Sequence, residues 1–282
     1  MSLSETASFQ MTDAHWAALS KCGDGHKYAY GHAAILSGPA GQGGAARLAA
    51  RGALRIGSGL VSVLCQRSAL AEHAAQLNAI MVKPYADVDE VPERLMSLKV
   101  SAVCIGPNLG LDDHARDVLC HCIRAGRPMC LDADAITLMS ADSLPQITNG
   151  QTVLTPHEGE LKRYIPDQFD KTTDRRSLAR YAAEKAGCVV LFKGPETIIA
   201  APDGQTTVVS SKSRPHAAWL ATAGSGDVLS GFVTGLLARG FTAFDAAAVA
   251  TDLHFRCAGQ FGPGLIAEDI PEMLPSVLQS AL

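Results

Sequence analysis

The 282-residue sequence has little charge and lacks the patterns by which small domains hold zinc, nucleic acid or membrane. Charged residues make up 18% of it and the formal net charge is −4, so it offers no basic field for a nucleic-acid backbone and no polybasic run for a lipid surface. No stretch reaches the roughly 18 consecutive apolar residues of a membrane-spanning helix, and Met1–Gln10 is polar where a signal peptide needs an apolar core. The cytoplasm is the expected compartment. The eight cysteines, Cys22, Cys65, Cys104, Cys120, Cys122, Cys130, Cys188 and Cys257, include no C-x-x-C pair, the commonest zinc spacing. Their one close cluster, Cys120-His121-Cys122, lies in an apolar stretch and reads as thiols on a helix rather than as metal ligands.

What is present is 47% hydrophobic residues, 26 glycines and conspicuous alanine, the composition of a compact α/β enzyme with one ample core. Internal repeats, linkers and low-complexity segments are missing, so residues 1–282 are expected to form a single domain with 1–26 as a lead-in. A short helix around Thr12–Ser20, capped by Thr12 or Asp13, is predicted there.

From Tyr30 onward strand and helix alternate. Tyr30–Gly38 reads as a buried strand, Ser37-Gly-Pro-Ala-Gly-Gln-Gly-Gly44 as a glycine-rich loop, and Ala45–Ile56 as a helix of small residues. Strand, glycine loop and helix N-terminus make either an anion cradle or merely a tight βα turn, and the spacing matches neither G-x-G-x-x-G nor a P-loop. A strand over Gly57–Cys65, a helix over Ala69–Leu77, and a third strand running into Val103-Cys-Ile-Gly-Pro-Asn-Leu-Gly110 follow, then a helix over Asp112–Ala125. In Met129-Cys-Leu-Asp-Ala-Asp134 two acids end an apolar run; Asp132 and Asp134 either orient a hydrated magnesium ion or cap the next helix. Thr152–Glu160 is a strand that breaks at Pro156 into a polar loop holding His157, Glu158 and Glu160, and His157 there is a candidate substrate contact. A helix over Thr173–Ala186 leads to a strand Cys188–Phe192, to Lys193-Gly-Pro-Glu-Thr197, and to hairpin strands Ile198–Ala201 and Thr206–Val209. Lys193, Gly194 and Thr197 are suited to phosphate or ribose oxygens. A polar loop Ser210–Ala218 and a last large helix Ala243–Ala258 flank the most informative stretch of all.

That stretch is Leu220-Ala-Thr-Ala-Gly-Ser-Gly-Asp-Val-Leu-Ser-Gly231, a turn of small residues that enters an apolar helix running to about Arg239. With almost no side chain on Gly224, Ser225 and Gly226, a phosphate can approach the backbone, and the helix start presents free N–H groups and its positive dipole end. Asp227 is then either a helix cap or a general base for a hydroxyl that attacks the phosphoryl group. The alternation implies right-handed βαβ units, a mainly parallel sheet with helices on both faces, and loops that converge at the carboxyl ends of the strands.

Gly44-Ala45, Leu54-Arg55-Ile56-Gly57-Ser58-Gly59-Leu60-Val61, Ile105-Gly-Pro-Asn-Leu-Gly110, Leu131-Asp-Ala-Asp-Ala135, Leu154-Thr-Pro-His-Glu-Gly-Glu160, Lys193-Gly194 and Ala221–Gly231 together resemble, in order, the ADP-dependent NAD(P)H-hydrate dehydratase family. The resemblance implies a ribokinase-like three-layer α/β/α sandwich and the ADP-dependent dehydration of (6S)-NADHX or NADPHX to NADH or NADPH, with Mg²⁺ and release of AMP and phosphate. By the same resemblance Ala45, Gly110, His157 and Asp227 contact the hydrate, and Lys193, Gly194, Pro195, Glu196, Thr197, Gly224, Ser225 and Gly226 the adenine nucleotide. Asp227 is the implied base and Glu160 the implied metal residue. Asn108 departs from the family's glycine, and the threonine customary before Gly44-Ala45 is missing; both bear on substrate affinity. A homo-oligomer, a tetramer in many members, is implied. Met1–Tyr30 is too short for the epimerase domain some members carry, so a separate epimerase is the expected partner. A ribokinase-like kinase acting on a vitamin-precursor alcohol is the alternative, and a nucleotide-binding protein in which Asp227 only caps a helix is a further one.

Overall fold

The computed structural model describes residues 8–21, 23, 25–140, 144–147 and 149–281. Cys22 and the first seven residues of the lead-in lie outside them. A sheet of nine strands forms the middle layer: β1 (His32–Leu36), β2 (Leu60–Gln66), β3 (Met81–Tyr85), β4 (Ala102–Ile105), β5 (Met129–Leu131), β6 (Thr152–Leu154), β7 (Val189–Phe192), β8 (Glu196–Ala200) and β9 (Thr206–Ser210). Their order is β3-β2-β1-β4-β5-β6-β7-β8-β9, parallel from β3 to β7 and antiparallel through the β7-β8-β9 meander. Inner strands such as β1, β4 and β5 are buried along their whole length, because helices cover both faces and leave no side of a strand for water.

The helices in chain order are α1 (Asp13–Leu19), α2 (Gly44–Arg55), α3 (Leu70–Ala74), α4 (Glu90–Ser97), α5 (Asp113–Arg124), α6 (Asp134–Met139), α7 (Glu158–Tyr164), α8 (Pro166–Phe169), α9 (Arg175–Ala186), α10 (Ser225–Ala238), α11 (Ala243–Phe261) and α12 (Asp269–Gln279). One apolar core, with Ala49, Ile56, Phe232, Leu236 and Leu253, lies under α2, α10, α11 and α12. The other, with Leu95, Leu119, Leu131, Leu161 and Phe192, lies under α4, α5, α7 and α9. The three-layer α/β/α sandwich expected from the strand–helix alternation is therefore the observed one.

Small residues bring α2 and α10 together. A Cβ added at Gly231 would sit 2.1 Å from the Ala49 carbonyl oxygen, and one at Gly235 would sit 2.2 Å from Ile56 Cγ2. The helix that leaves the first glycine loop and the helix that begins at the Gly224 turn are thus packed backbone to backbone, which holds their N-termini at a set spacing.

Several elements were not expected. Strand β3 contains Pro84 and is mostly half-buried, as an edge strand permits because the missing N–H faces outward. Helices α4, α8 and α12 are additional; α12 carries Pro271 near its start and Pro275 inside. Glu158 and Glu160 stand in the first turn of α7 instead of in a loop. The lead-in helix forms as expected, with Thr12 as its cap. Both cysteines of the Cys120-His121-Cys122 cluster lie on α5, Cys122 buried, while His121 pairs with Asp89 at 3.1 Å. Among the described residues no helix is long and apolar enough to cross a membrane.

Candidate active site

Gly224, with φ +87°, turns the chain into α10 and supplies no side-chain cap, so the first amides of this helix keep their capacity for a ligand. A larger residue there would collide with Leu48 and Ala267, whose side chains would lie 2.6 and 2.9 Å from the new Cβ. Ser225 secures the turn by donating its hydroxyl to the Leu220 carbonyl at 2.6 Å. Asp227 follows in the first turn of α10. Burial and then the charge of Asp132 push its carboxyl up to about 7, against the opposing pull of Lys193. A carboxylate with that affinity for protons is suited to accept one near neutral pH.

The groups around it come from the carboxyl ends of three adjacent strands. Lys193, just after β7, donates to Asp132 Oδ1 at 2.9 Å and stands 3.8 Å from Glu160 Oε2. Asp132, just after β5, also accepts the Ser230 hydroxyl of α10 at 2.7 Å. Burial alone would raise the Asp132 carboxyl, but the Lys193 charge and the bonds from Lys193, Ser230 and Thr155 hold it below the usual carboxylate range. Burial would likewise lower the Lys193 ammonium, and Asp132 and Glu160 outweigh it and keep it charged. Asp132 therefore neither caps a helix nor presents free oxygens to a metal; both were expectations, and the part-buried lysine takes precedence because an unpaired ammonium there would cost more. Asp134 opens α6 and accepts the Gly110 N–H at 2.9 Å, so it too departs from the magnesium reading. Between the two acids Ala133 is held at φ +47°, ψ −114°, a conformation that side chains rarely adopt and that concentrates at functional sites.

On the far side of Lys193 a cavity of about 320 Å³ is lined by Lys193, Gly194, Pro195, Thr197, Ser225 and Gly226, six of the residues expected at the nucleotide. Thr197 is buried and donates its hydroxyl to the Gly194 carbonyl at 2.8 Å, which shapes the loop above the cavity. Glu196 faces elsewhere: its exposed side chain pairs with Lys212 at 2.9 Å. Alternation along β8 sends neighbouring side chains to opposite faces, and Glu196 falls on the outer one. Gly224 acts through the turn and does not line the cavity. The part of the wall from Leu229, Thr251, His254 and Phe255 was not anticipated. His254 donates from Nε2 to the Ser225 carbonyl at 3.0 Å, and burial drives it down to about 4, so it is a neutral donor that fixes the turn. A histidine inside the apolar run of α11 was the available signal.

Ala45, Gly110 and His157, the residues expected at the hydrate, do not line this cavity. Ala45 is buried in the first turn of α2. The expected anion cradle of the first loop is already filled by the protein's own Glu72, whose carboxylate accepts the Gly41 and Gly43 N–H groups at 2.6 and 3.2 Å. Gly110 has φ +97°, and Asn108 occupies φ +50°, a region that asparagine tolerates better than most residues, so its replacement of glycine leaves the loop shape intact. His157 caps α7: its Nδ1 accepts the Glu160 N–H and Glu160 Oε2 accepts the His157 N–H at 2.8 Å, a reciprocal box that leaves the imidazole edge half in solvent.

Glu160 is nearly buried, 6% exposed, and one oxygen is occupied by that box. Among the described residues no three His, Cys, Asp or Glu groups could enclose an ion. The donor set is hard oxygen, which fits Mg²⁺ keeping most of its waters and a phosphate, not a metal caged by protein.

The model of the NAD(P)H-hydrate dehydratase family matches residues 33–278. A bifunctional NAD(P)H-hydrate repair enzyme of Moorella thermoacetica is 34% identical over 91% of this chain and 51% of its own length, so the chain spans about half the length of the curated relatives it matches. The structure of an ADP/ATP-dependent NAD(P)H-hydrate dehydratase from Bacillus subtilis, co-crystallised with ATP and Mg²⁺, superposes with a TM-score of 0.83 at 26% identity, covering 98% of this chain and 99% of that one. Arabidopsis thaliana ribokinase superposes at a TM-score of 0.56 and 12% identity over 88% of this chain and 99% of its own, which shows a shared fold.

Proposed function

The chain belongs to the NAD(P)H-hydrate dehydratase family, and from that membership we propose that it restores NADH or NADPH from the (6S) hydrates with ADP as phosphoryl donor. The observation that carries the reading is the stack of Asp227, Lys193 and the 320 Å³ cavity, in which base, cation and nucleotide space follow one another across Gly226.

The hydrate carries a ring hydroxyl, a poor leaving group. Asp227 takes the hydroxyl proton as the oxygen attacks the β-phosphoryl group of ADP; the new O–P bond forms while the bond to AMP breaks. The ring nitrogen then contributes its lone pair, the C–O bond breaks with phosphate as the leaving group, and loss of a proton from the neighbouring ring carbon restores the dihydropyridine. ADP and hydrate thus become AMP, phosphate and reduced cofactor. Lys193 neutralises phosphate charge, and the Gly224–Gly226 amides at the start of α10 receive the transferring group. Asp132 and Ser230 keep Lys193 aimed. Lys193, Gly194, Pro195 and Thr197 surround the nucleotide, while Ala45, Gly110 and His157 face the hydrate. Glu160 would hold Mg²⁺ through water; bound, the ion supplies further charge neutralisation on the phosphates. An oligomer of such chains acting on a pool kept in the reactive epimer by an epimerase activity completes the reading.

The test is direct. The protein is incubated with NADHX and ADP, and the near-ultraviolet absorbance of NADH is followed with AMP and phosphate release. One AMP and one phosphate per NADH supports the proposal; stable phosphorylated alcohol without NADH would point to a kinase instead.

A further inference from the structure

We propose that Glu72 and Asp134 are positioning residues that hold the two glycine loops in the shape the hydrate requires; the inference deepens the proposed function and rests on it. Glycine-rich loops lose more conformational freedom on ordering than other segments, so an external restraint has most to contribute there. Each loop has such a restraint, and in both cases it is a carboxylate from outside the loop. Glu72 of α3 accepts the amides of Gly41, which has φ +84°, and Gly43. A Cβ placed on Gly43 would lie 2.4 Å from Glu72 Oε1, so the loop backbone rests directly on the acid. The root of the loop is tied by the neighbouring residue, with His73 Nε2 2.9 Å from the Ser37 hydroxyl. Asp134 does the same for the second loop through Gly110.

The loops also meet each other. A Cβ on Gly38 would overlap the Asn108 carbonyl oxygen, at 1.7 Å, so displacement of one loop moves the other. Neither Glu72 nor Asp134 lines the nucleotide cavity. Their removal should therefore loosen the hydrate wall and leave the ADP wall in place. It follows as well that Gly41, Gly43 and Gly110 do not lend their N–H groups to substrate phosphates, which must find their donors at the helix termini and at Lys193.

The experiment compares the full chain with Glu72→Gln, Asp134→Ala and Asp134→Asn in two readouts. Glutamine offers one acceptor oxygen where the carboxylate has two and turns an NH₂ donor toward the second amide; alanine offers none; asparagine still accepts from Gly110. Amide hydrogen exchange in the ligand-free protein should accelerate about tenfold or more at Gly41 or Gly43 in Glu72→Gln and at Gly110 in Asp134→Ala. Steady-state kinetics should show a KM for NADHX raised about tenfold in these two variants, a KM for ADP within about twofold of wild type, and Asp134→Asn close to wild type in both readouts. Unchanged exchange at the three glycines overturns the proposal, as does a parallel rise in the KM for ADP, which would mean general loss of structure. A wild-type chain that converts no hydrate would defeat the proposed activity instead, and the exchange rates would still decide whether the two acids hold the loops.

Discussion

The end of β5 and the start of α10 each place an aspartate in the same cleft, and the two have opposite characters. Asp132 has both oxygens engaged, by Lys193 and by Ser230, and is held in its charged form. Asp227 receives no hydrogen bond from a described residue, faces a like charge, and is pushed up to about 7. Burial raises both; partners decide the outcome. The first is an anchor whose charge is spent on a lysine; the second is left with the higher proton affinity that the proposed base needs.

The widest separation between the two should come from Asp227→Ala, which is expected to lower turnover by a factor on the order of 10²–10⁴ while the fold survives, as circular dichroism and ADP binding would check. Asp132→Ala should instead strike stability: it takes the nearest charge partner from the part-buried Lys193 ammonium, at a cost of about 1–3 kcal/mol in denaturant unfolding. Loss of the Asp132 charge also removes one cause of the raised Asp227 carboxyl, so in the milder Asp132→Asn the acid limb of the pH–rate profile should move to lower pH.

The raised carboxyl of Asp227 has its own stability signature. Folding binds a proton that the unfolded chain releases, so the stabilisation is complete below the ordinary carboxylate value near 3.8 and is lost as pH rises through about 7. Asp227→Asn should accordingly be more stable than wild type by up to about 4 kcal/mol at pH 8, with about half that difference at pH 5, as thermal melts at the two pH values would show. Gly231→Ala would test the spacing that carries Asp227: overpacking against the Ala49 carbonyl should cost about 1–3 kcal/mol. The smallest effect is expected from Glu196→Ala, since a solvent-screened pair on the outer face of β8 contributes little to stability, and the KM for ADP should not move.

Most of this cleft was readable from local pattern. The Gly224 turn, Lys193, Thr197 and the strand-end acids each announce themselves by a residue type that is out of keeping with its surroundings, and strand–helix alternation is enough to bring them to one edge. The departures share a physical cause. Glu72 is an ordinary charged residue on a short helix, and its role depends on contacts with Gly41 and Gly43 that span 31 and 29 positions. Asp132 looked like a metal or capping residue because nothing near it in the chain reveals Lys193, 61 positions away, or Ser230, 98 positions away. Strand β3 and helix α12 escaped notice because proline interrupts their periodicity, although an edge position tolerates Pro84 and a first turn Pro271.

The contrast between the two aspartates is tested most directly by the rate of NADH recovery from NADHX with saturating ADP, measured from pH 5 to 8 for wild type and Asp227→Asn. The wild-type rate should climb through a single limb near pH 7, set by burial and Asp132, while the variant falls to about a hundredth or less of the wild-type plateau with no such limb. A flat wild-type profile, or a variant that keeps more than about a tenth of the plateau rate, would contradict the assignment of Asp227 as the base.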